Sequence, residues 1–202
     1  MVYVVDDDQA VRSSVRWLLE SVHLPVETFG SAQEFLEAHE PGRPGCLVLD
    51  MRMPGLNGLQ LQETLTARRV RLPIIFITGH GDIDIAVRAM KAGAFDFIEK
   101  PFSDQSLLDT VQRCLEWEDR QRQDARQREQ VIQRLNSLTP REAEVLDGVI
   151  SGKSNKLIAV ALDISTKTVE VHRARVMEKM AVNSVAELTA LYISSGSHSG
   201  KP

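Results

Sequence analysis

From Val2 to Cys114, short apolar runs alternate with stretches in which apolar residues recur every three or four positions. The pairs are VYVV and VRSSVRWLLESV, VETF and AQEFLEA, CLVLD and LQLQETLTA, PIIFIT and IAVRAM, FDFI and LLDTVQRCL. The runs predict strands and the three-to-four spacing predicts amphipathic helices. Five such units in succession predict a parallel sheet with helices on both faces. CLVLD and PIIFIT are apolar almost throughout, as central strands buried on both sides should be. Ligands of such sheets bind beyond the carboxyl ends of the strands, where VVDDD, LVLDM and FIT all place their polar residues.

From Glu116 to Leu135 the pattern changes. EWEDRQRQDARQREQVIQRL lacks Gly and Pro and is rich in helix formers. A helix polar all round is solvent-bridging or unstable alone, so residues 116–135 are expected to form a helical linker continuing the last helix of a first domain over 1–115. A disordered charged tether is the alternative. Beyond it, SLTPREAEVLDGVISG predicts a helix with a Ser or Thr cap, Pro140 in its first turn and Gly152 as its stop. SNKLIAVALD, STKTVEVHRARVMEKM after a break at Ile164 and Ser165, and SVAELTALYI predict three more. The expected class is α/β followed by an all-α domain of four helices over 136–194, with a disordered tail over 195–202.

Charge sharpens this division. The net charge of −4 is uneven: residues 1–115 hold 11 Lys and Arg against 16 Asp and Glu, and residues 136–202 hold 8 against 7. That balance alone does not indicate nucleic acid, whose footprint is a patch. No apolar stretch approaches the ~20 residues of a bilayer span, and a soluble cytoplasmic protein without membrane partners is expected. Cys46 and Cys114 lack metal or redox spacing and read as reduced packing thiols.

If the first strand ends at Val5 and the third at Leu49, Asp6, Asp7 and Asp50 converge on one sheet edge, with Lys100 after the fifth strand and Thr78 at the end of the fourth. Carboxylates so close are costly without a hard cation, and Mg²⁺ takes oxygen ligands. A strand-end carboxylate near Mg²⁺ and a lysine is equipped to attack a phosphoryl group. The plainer reading makes Asp6 to Asp8 helix caps and pairs Lys100 with a surface acid. It suits any one residue better than the set, and Asp8 best of all.

VVDDD, LVLDMRMPGLNG, FITGHGD and AMKAGAFDFIEKPF, in this order, resemble the receiver domain of two-component response regulators over nearly all of residues 1–115. The resemblance implies a flavodoxin-like (βα)5 fold with sheet order 2-1-3-4-5 and Asp50 as phosphoacceptor, served by a sensor histidine kinase. It implies Mg²⁺, for which Mn²⁺ could substitute, held by Asp6, Asp7, Asp50 and the Arg52 backbone carbonyl. Thr78 and Lys100 would contact the phosphoryl group, and Phe97 would be the switch aromatic. Phe97 lacks the hydroxyl of the tyrosine in some relatives, so only its packing can change. A haloacid dehalogenase-type phosphohydrolase is the rival, but its general-acid position is Arg52 here, and the acidic pair precedes the nucleophile.

SNKLIAVALDISTKTVEVHRARVMEKM has the pieces of a helix-turn-helix. Val169, Val176 and Met180 should face the core, leaving Lys167, Thr168, His172, Arg173, Arg175 and Lys179 for solvent or DNA. The whole segment from LTPRE to MEKM resembles the LuxR-type DNA-binding domain, and with the receiver it resembles the FixJ and NarL regulators; GHGD and TVEVHRA bring it nearest the FixJ group. That implies Glu170, Val171 and Ala174 at base edges and Lys156, Lys167, Thr168 and Arg175 on phosphates of promoter double-stranded DNA. Many relatives carry Lys where Glu170 stands, so base preference does not transfer. Related receivers pair through a face whose candidate contacts here are Val87, Met90 and Lys91, and Val185, Leu188 and Leu191 are candidates for joining two DNA-binding modules. The expectation is a regulator that dimerises on phosphorylation and works with the transcription machinery, with no enzymatic role beyond self-phosphorylation and self-dephosphorylation at Asp50.

Overall fold

The structure, a computed structural model, describes residues 1–79 and 83–196; His80, Gly81 and Asp82 of the GHGD motif and residues 197–202 of the expected tail lie outside them. The chain divides into two compact units between Gln121 and Arg122. The first comprises β1 (Val2–Val5), α1 (Gln9–Ser21), β2 (Val26–Phe29), α2 (Ala32–Ala38), β3 (Cys46–Asp50), α3 (Gly58–Ala67), β4 (Ile74–Thr78), α4 (Ile83–Lys91), β5 (Asp96–Glu99) and the start of α5 (Asp104–Asn136). The strands are parallel, in the order β2-β1-β3-β4-β5. β3 runs one residue past the expected end, through Asp50, and β5 is shifted one residue along from FDFI.

Strand alternation divides the core between the two faces. Tyr3, Val5, Leu47, Leu49 and Phe76 pack with Phe35 and Leu61. Val2, Val4, Val48, Ile75 and Ile77 pack with Leu19, Leu107 and Val111. Both faces are covered, which is why the central strands carry no polar alternation. Cys46 and Cys114 are reduced and buried in the second layer, and contact with Cys46 together with burial pushes the Cys114 thiol far above its ordinary value.

α5 continues as helix through the polar stretch. Its early residues Leu107 and Val111 are buried in the first unit and Val131 in the second, while residues 123–130 are exposed. Helix-forming composition sustains that interval. The second unit adds α6 (Pro140–Ile150), α7 (Asn155–Leu162), α8 (Thr166–Met180) and α9 (Val185–Ser194). Thr139, Ser154, Ser165 and Ser184 cap the four helices through their hydroxyls, and Thr139 forms a capping box with Glu142. α6 and α7 meet at Gly148, where a Cβ would lie 2.7 Å from Ile158 Cγ1. Among the described residues no helix is long and apolar enough to cross a membrane.

One expectation is narrowed here. Leu188 is fully buried in the second unit's core, and Val185 and Leu191 pack against the same cluster. Leu188 therefore belongs to its own domain's core, while Val185 and Leu191 keep part of their surface exposed beside it. Ile193, 60% exposed, lies on the other side. Leu188→Ala should therefore lower stability by about 2–5 kcal/mol, as core truncations do. Denaturant unfolding of the full chain checks this, and an unchanged midpoint would contradict the burial.

His39 sits in an aromatic cluster at the amino end of the sheet. It stacks on Phe35 at 5.0 Å and meets the Tyr3 ring edge-on at 5.0 Å. Both ring nitrogens are buried without a hydrogen-bond partner. Burial, and then the nearby Arg43 charge, lower the His39 pKa below its ordinary 6.5. The folded state thus holds His39 neutral, whereas the unfolded chain takes up a proton below pH 6.5. This contribution is complete above that pH and is lost as pH falls toward the depressed folded value. Melting temperature should drop between pH 7.5 and 5.5 by less in His39→Phe than in wild type, and equal drops would exclude His39 as the cause.

Candidate functional site

Parallel register delivers the polar residues to one edge. Val5 pairs with Leu49, so Asp6 leaves β1 beside Asp50 at the end of β3. Asp50 pairs with Ile77 and Thr78 with Glu99, placing Thr78 and Lys100 at successive strand ends. The Lys100 amide donates to the Thr78 carbonyl at 2.8 Å. Asp6, Asp50 and Thr78 are buried, whereas Asp7 and Asp8 are exposed.

The Lys100 Nζ lies 2.7 Å from Asp50 Oδ1 and 3.1 Å from Asp6 Oδ2. The Asp50 Oδ2 accepts the Arg52 amide at 2.8 Å, and the Asp6 Oδ1 accepts the Asp8 amide at 2.8 Å. One ammonium therefore bridges two buried carboxylates, leaving negative charge in excess. Burial raises the Asp50 carboxyl above its ordinary 3.8 despite the opposing pull of Lys100, and Asp6 adds to the rise. Burial works to lower the Lys100 pKa, but its bonds to Asp50 and Asp6 hold it above 10.5. The Thr78 hydroxyl makes a 3.5 Å bond to the Ile98 carbonyl, at the limit of hydrogen-bond length. Phe97, on β5, is 46% exposed.

Asp8 separates from its neighbours by role. Its Oδ1 caps α1, accepting the Ala10 amide at 2.8 Å and the Val11 amide at 3.4 Å. Sequence reasoning passed over Arg12, whose Nη1 donates to the Asp6 carbonyl at 2.6 Å. The signal was its position one turn after Asp8, which returns its side chain over the end of β1. Gly58 opens α3 so close to β3 that a Cβ would lie 2.7 Å from the Asp50 carbonyl oxygen. Among the described residues no three His, Cys, Asp or Glu side chains form a group that could hold a metal unaided. The buried carboxylate pair with its excess charge fits a hard divalent cation completed by a backbone carbonyl and waters.

In the second unit α7 and α8 form a helix-turn-helix. Asp163 takes a left-handed φ of 53°, and the Ile164 amide returns to the Ala159 carbonyl at 3.1 Å. Ser165 caps α8, accepting the Thr168 amide at 3.0 Å, and its hydroxyl lies 2.8 Å from the Thr168 hydroxyl. Val169, Val176 and Met180 are buried, so Lys167, Thr168, Glu170, Val171, Ala174 and Arg175 lie exposed, as does Lys156 on α7. Two basic residues are not available as expected. The Arg173 Nη1 donates to Asn155 Oδ1 at 2.8 Å, and Lys179 Nζ to Glu142 Oε2 at 2.6 Å and to the Ser137 carbonyl at 3.0 Å. Both tie helices together, and the Lys179 bond holds Glu142 at about 2, with the Thr139 amide assisting. His172 is half-buried, its Nδ1 enclosed without a partner. On α4, Val87 and Met90 are exposed beside Lys91.

Both units have counterparts among known proteins. Residues 2–112 match the family described as response regulator receiver domain, and residues 136–192 match bacterial regulatory proteins, luxR family. The transcriptional regulatory protein FixJ of Bradyrhizobium diazoefficiens is 46% identical over 199 residues, covering 96% of this chain and 95% of that one. TdiR of Thauera aromatica is 43% identical, covering 98% and 87%. Among solved structures, the response regulator StyR superposes with a TM-score of 0.87 at 50% identity, covering 95% of this chain and 97% of that one. Full-length FixJ from B. japonicum gives 0.60 at 43%, covering 97% of each. With its sheet order, its helix-turn-helix and these relatives, the chain belongs to the response regulators that join a receiver to a LuxR-type DNA-binding domain, and it is a phosphorylation-regulated transcriptional regulator.

Proposed function

We propose that Asp50 is the phosphoacceptor and that its phosphorylation controls promoter binding by a homodimer. The observation that carries this reading is the Lys100 ammonium bridging two buried carboxylates at the strand ends. An Asp50 oxygen attacks the phosphorus of a phosphohistidine on a sensor kinase. The new O–P bond forms as the N–P bond breaks, and imidazole leaves. Asp6, Asp7, Asp50 and the Arg52 carbonyl would hold Mg²⁺, or Mn²⁺ in its place, which supplies charge neutralisation for the transferring oxygens. Lys100 neutralises Asp50 beforehand and donates to a phosphoryl oxygen afterwards. Thr78 exchanges its long bond to the Ile98 carbonyl for another phosphoryl oxygen. Hydrolysis of the same bond returns Asp50.

The Thr78 shift passes to Phe97, on the neighbouring strand, and to the α4 surface of Val87, Met90 and Lys91, through which two copies pair. The working parts are a receiver over 1–115, a helical linker over 116–135, a DNA-binding domain over 136–194 and a tail over 195–202, in a cytoplasmic protein acting with the transcription machinery. α8 enters the major groove with Glu170, Val171 and Ala174 toward the bases, while Lys156, Lys167, Thr168 and Arg175 meet phosphates.

Incubation with a small acyl phosphate and Mg²⁺ should add one phosphoryl group to wild type and to Asp8→Asn, weaken Mg²⁺ binding in Asp7→Asn, and leave Asp50→Asn unmodified by intact mass. Phosphate uptake by Asp50→Asn would refute the assignment. In DNA mobility shifts, Lys167→Ala and Arg175→Ala should each weaken binding to all sequences alike and flatten the log–log salt dependence by about one unit. Unaltered slopes in both would remove these residues from the interface.

A further inference from the structure

Two exposed carboxylates lie on α8, Glu170 near its start and Glu178 in its last turn. Glu170 is exposed and has no hydrogen-bond or ion-pair partner among the described residues. Lys167 precedes it by one turn, yet the two are not paired. Val171 beside it, 48% exposed, and Ala174 one turn on carry no polar group, so Glu170 is the sole polar side chain in the centre of this strip. The short Ala174 also leaves the carboxylate room to extend away from the helix.

A carboxylate only accepts hydrogen bonds. In a groove walled by phosphates it is repelled unless it meets a donor. The major-groove edge offers two base donors, the N4 amino group of cytosine and the N6 amino group of adenine. Adenine sets its N7 acceptor beside that donor, guanine presents O6 and N7, and thymine presents O4. Cytosine alone offers a donor with no acceptor next to it on its own edge. Building on the DNA-binding reading above, we propose that Glu170 fixes cytosine at one position of the operator by accepting its N4–H and rejecting the other three bases. Val171 packs on a thymine methyl at a neighbouring position. The selectivity comes largely from repulsion of wrong bases, and should amount to roughly 5- to 150-fold at that position.

The test is selection of binding sites from randomised duplexes by the full chain treated with acyl phosphate, comparing wild type, Glu170→Gln and Glu170→Ala. Circular dichroism serves as the check on folding, because an exposed, unpaired residue should not affect it. Wild type should enrich cytosine at one position. Glu170→Gln should shift that position to adenine, whose N6 and N7 an amide matches, and Glu170→Ala should lose the preference there and keep the rest of the site. An unchanged consensus in both variants would overturn the assignment of Glu170 while leaving DNA binding intact. Enrichment of no sequence by wild type, with binding indifferent to Lys167→Ala, would overturn both.

Discussion

The receiver unit is organised around a buried electrostatic imbalance, two carboxylates sharing one ammonium. Asp6 and Asp50 cannot be taken from water without compensation, and Lys100 alone leaves an excess of one negative charge. The sheet makes this arrangement obligatory. β1, β3, β4 and β5 are parallel and in register, so the residues that follow their apolar stretches emerge together. A one-residue slip in β3 would turn Asp50 toward a covered face and bring an apolar neighbour to the edge. The long apolar runs therefore act on the chemistry indirectly, by fixing where the strands end.

The second unit meets a different constraint, a small core. Four hydroxyl caps satisfy the helix amino ends, and the central cluster is Val145, Leu146, Ile158, Val169, Val176, Met180 and Leu188. Charged side chains supplement this core. Glu142 closes the α6 capping box and also receives Lys179 from α8, while Arg173 reaches Asn155 on α7. These ties hold α8 against α6 and α7, so its outward residues are presented on a fixed frame.

Much of this was legible in the sequence, for reasons that also mark the limits. The strands announced themselves because both faces of the sheet are covered, and the caps because Ser, Thr and Asp stand before periodic apolar residues. The carboxylate site followed because its members terminate strands. Arg173 and Lys179 were misjudged because helical spacing tells which side of α8 a residue occupies and says nothing of Asn155, 18 residues away, or Glu142, 37 away. Leu188 on α9, fully buried, was misjudged for a related reason. Apolar spacing demands a cover, and does not distinguish the domain's own core from a second molecule. Arg12 escaped notice because its partner is a backbone carbonyl, which leaves no trace in residue identity.

Burial also sets α4 apart from the other helices of the receiver unit. α1 buries Val15, Leu18 and Leu19, and α3 buries Leu61 and Leu65. The fully buried side chains described on α4 are Ala86 and Ala89, with Ile85 partly covered. At roughly 25 cal/mol per Å² of apolar surface, two alanines anchor a helix far less firmly than a set of leucines. A buried bond from Gln62 Nε2 to the Ala89 carbonyl, at 3.1 Å, secures α4 near its carboxyl end. The described packing of α4 is thus a polar contact near its carboxyl end, two buried alanines and the partly covered Ile85. Lys100 and Phe97 are three residues apart along β5 and its end, about 10 Å at extended-chain spacing. On the phosphoacceptor reading proposed above, a displacement of Lys100 or Thr78 would reach Phe97 along β5, beside a helix whose described fully buried side chains are small.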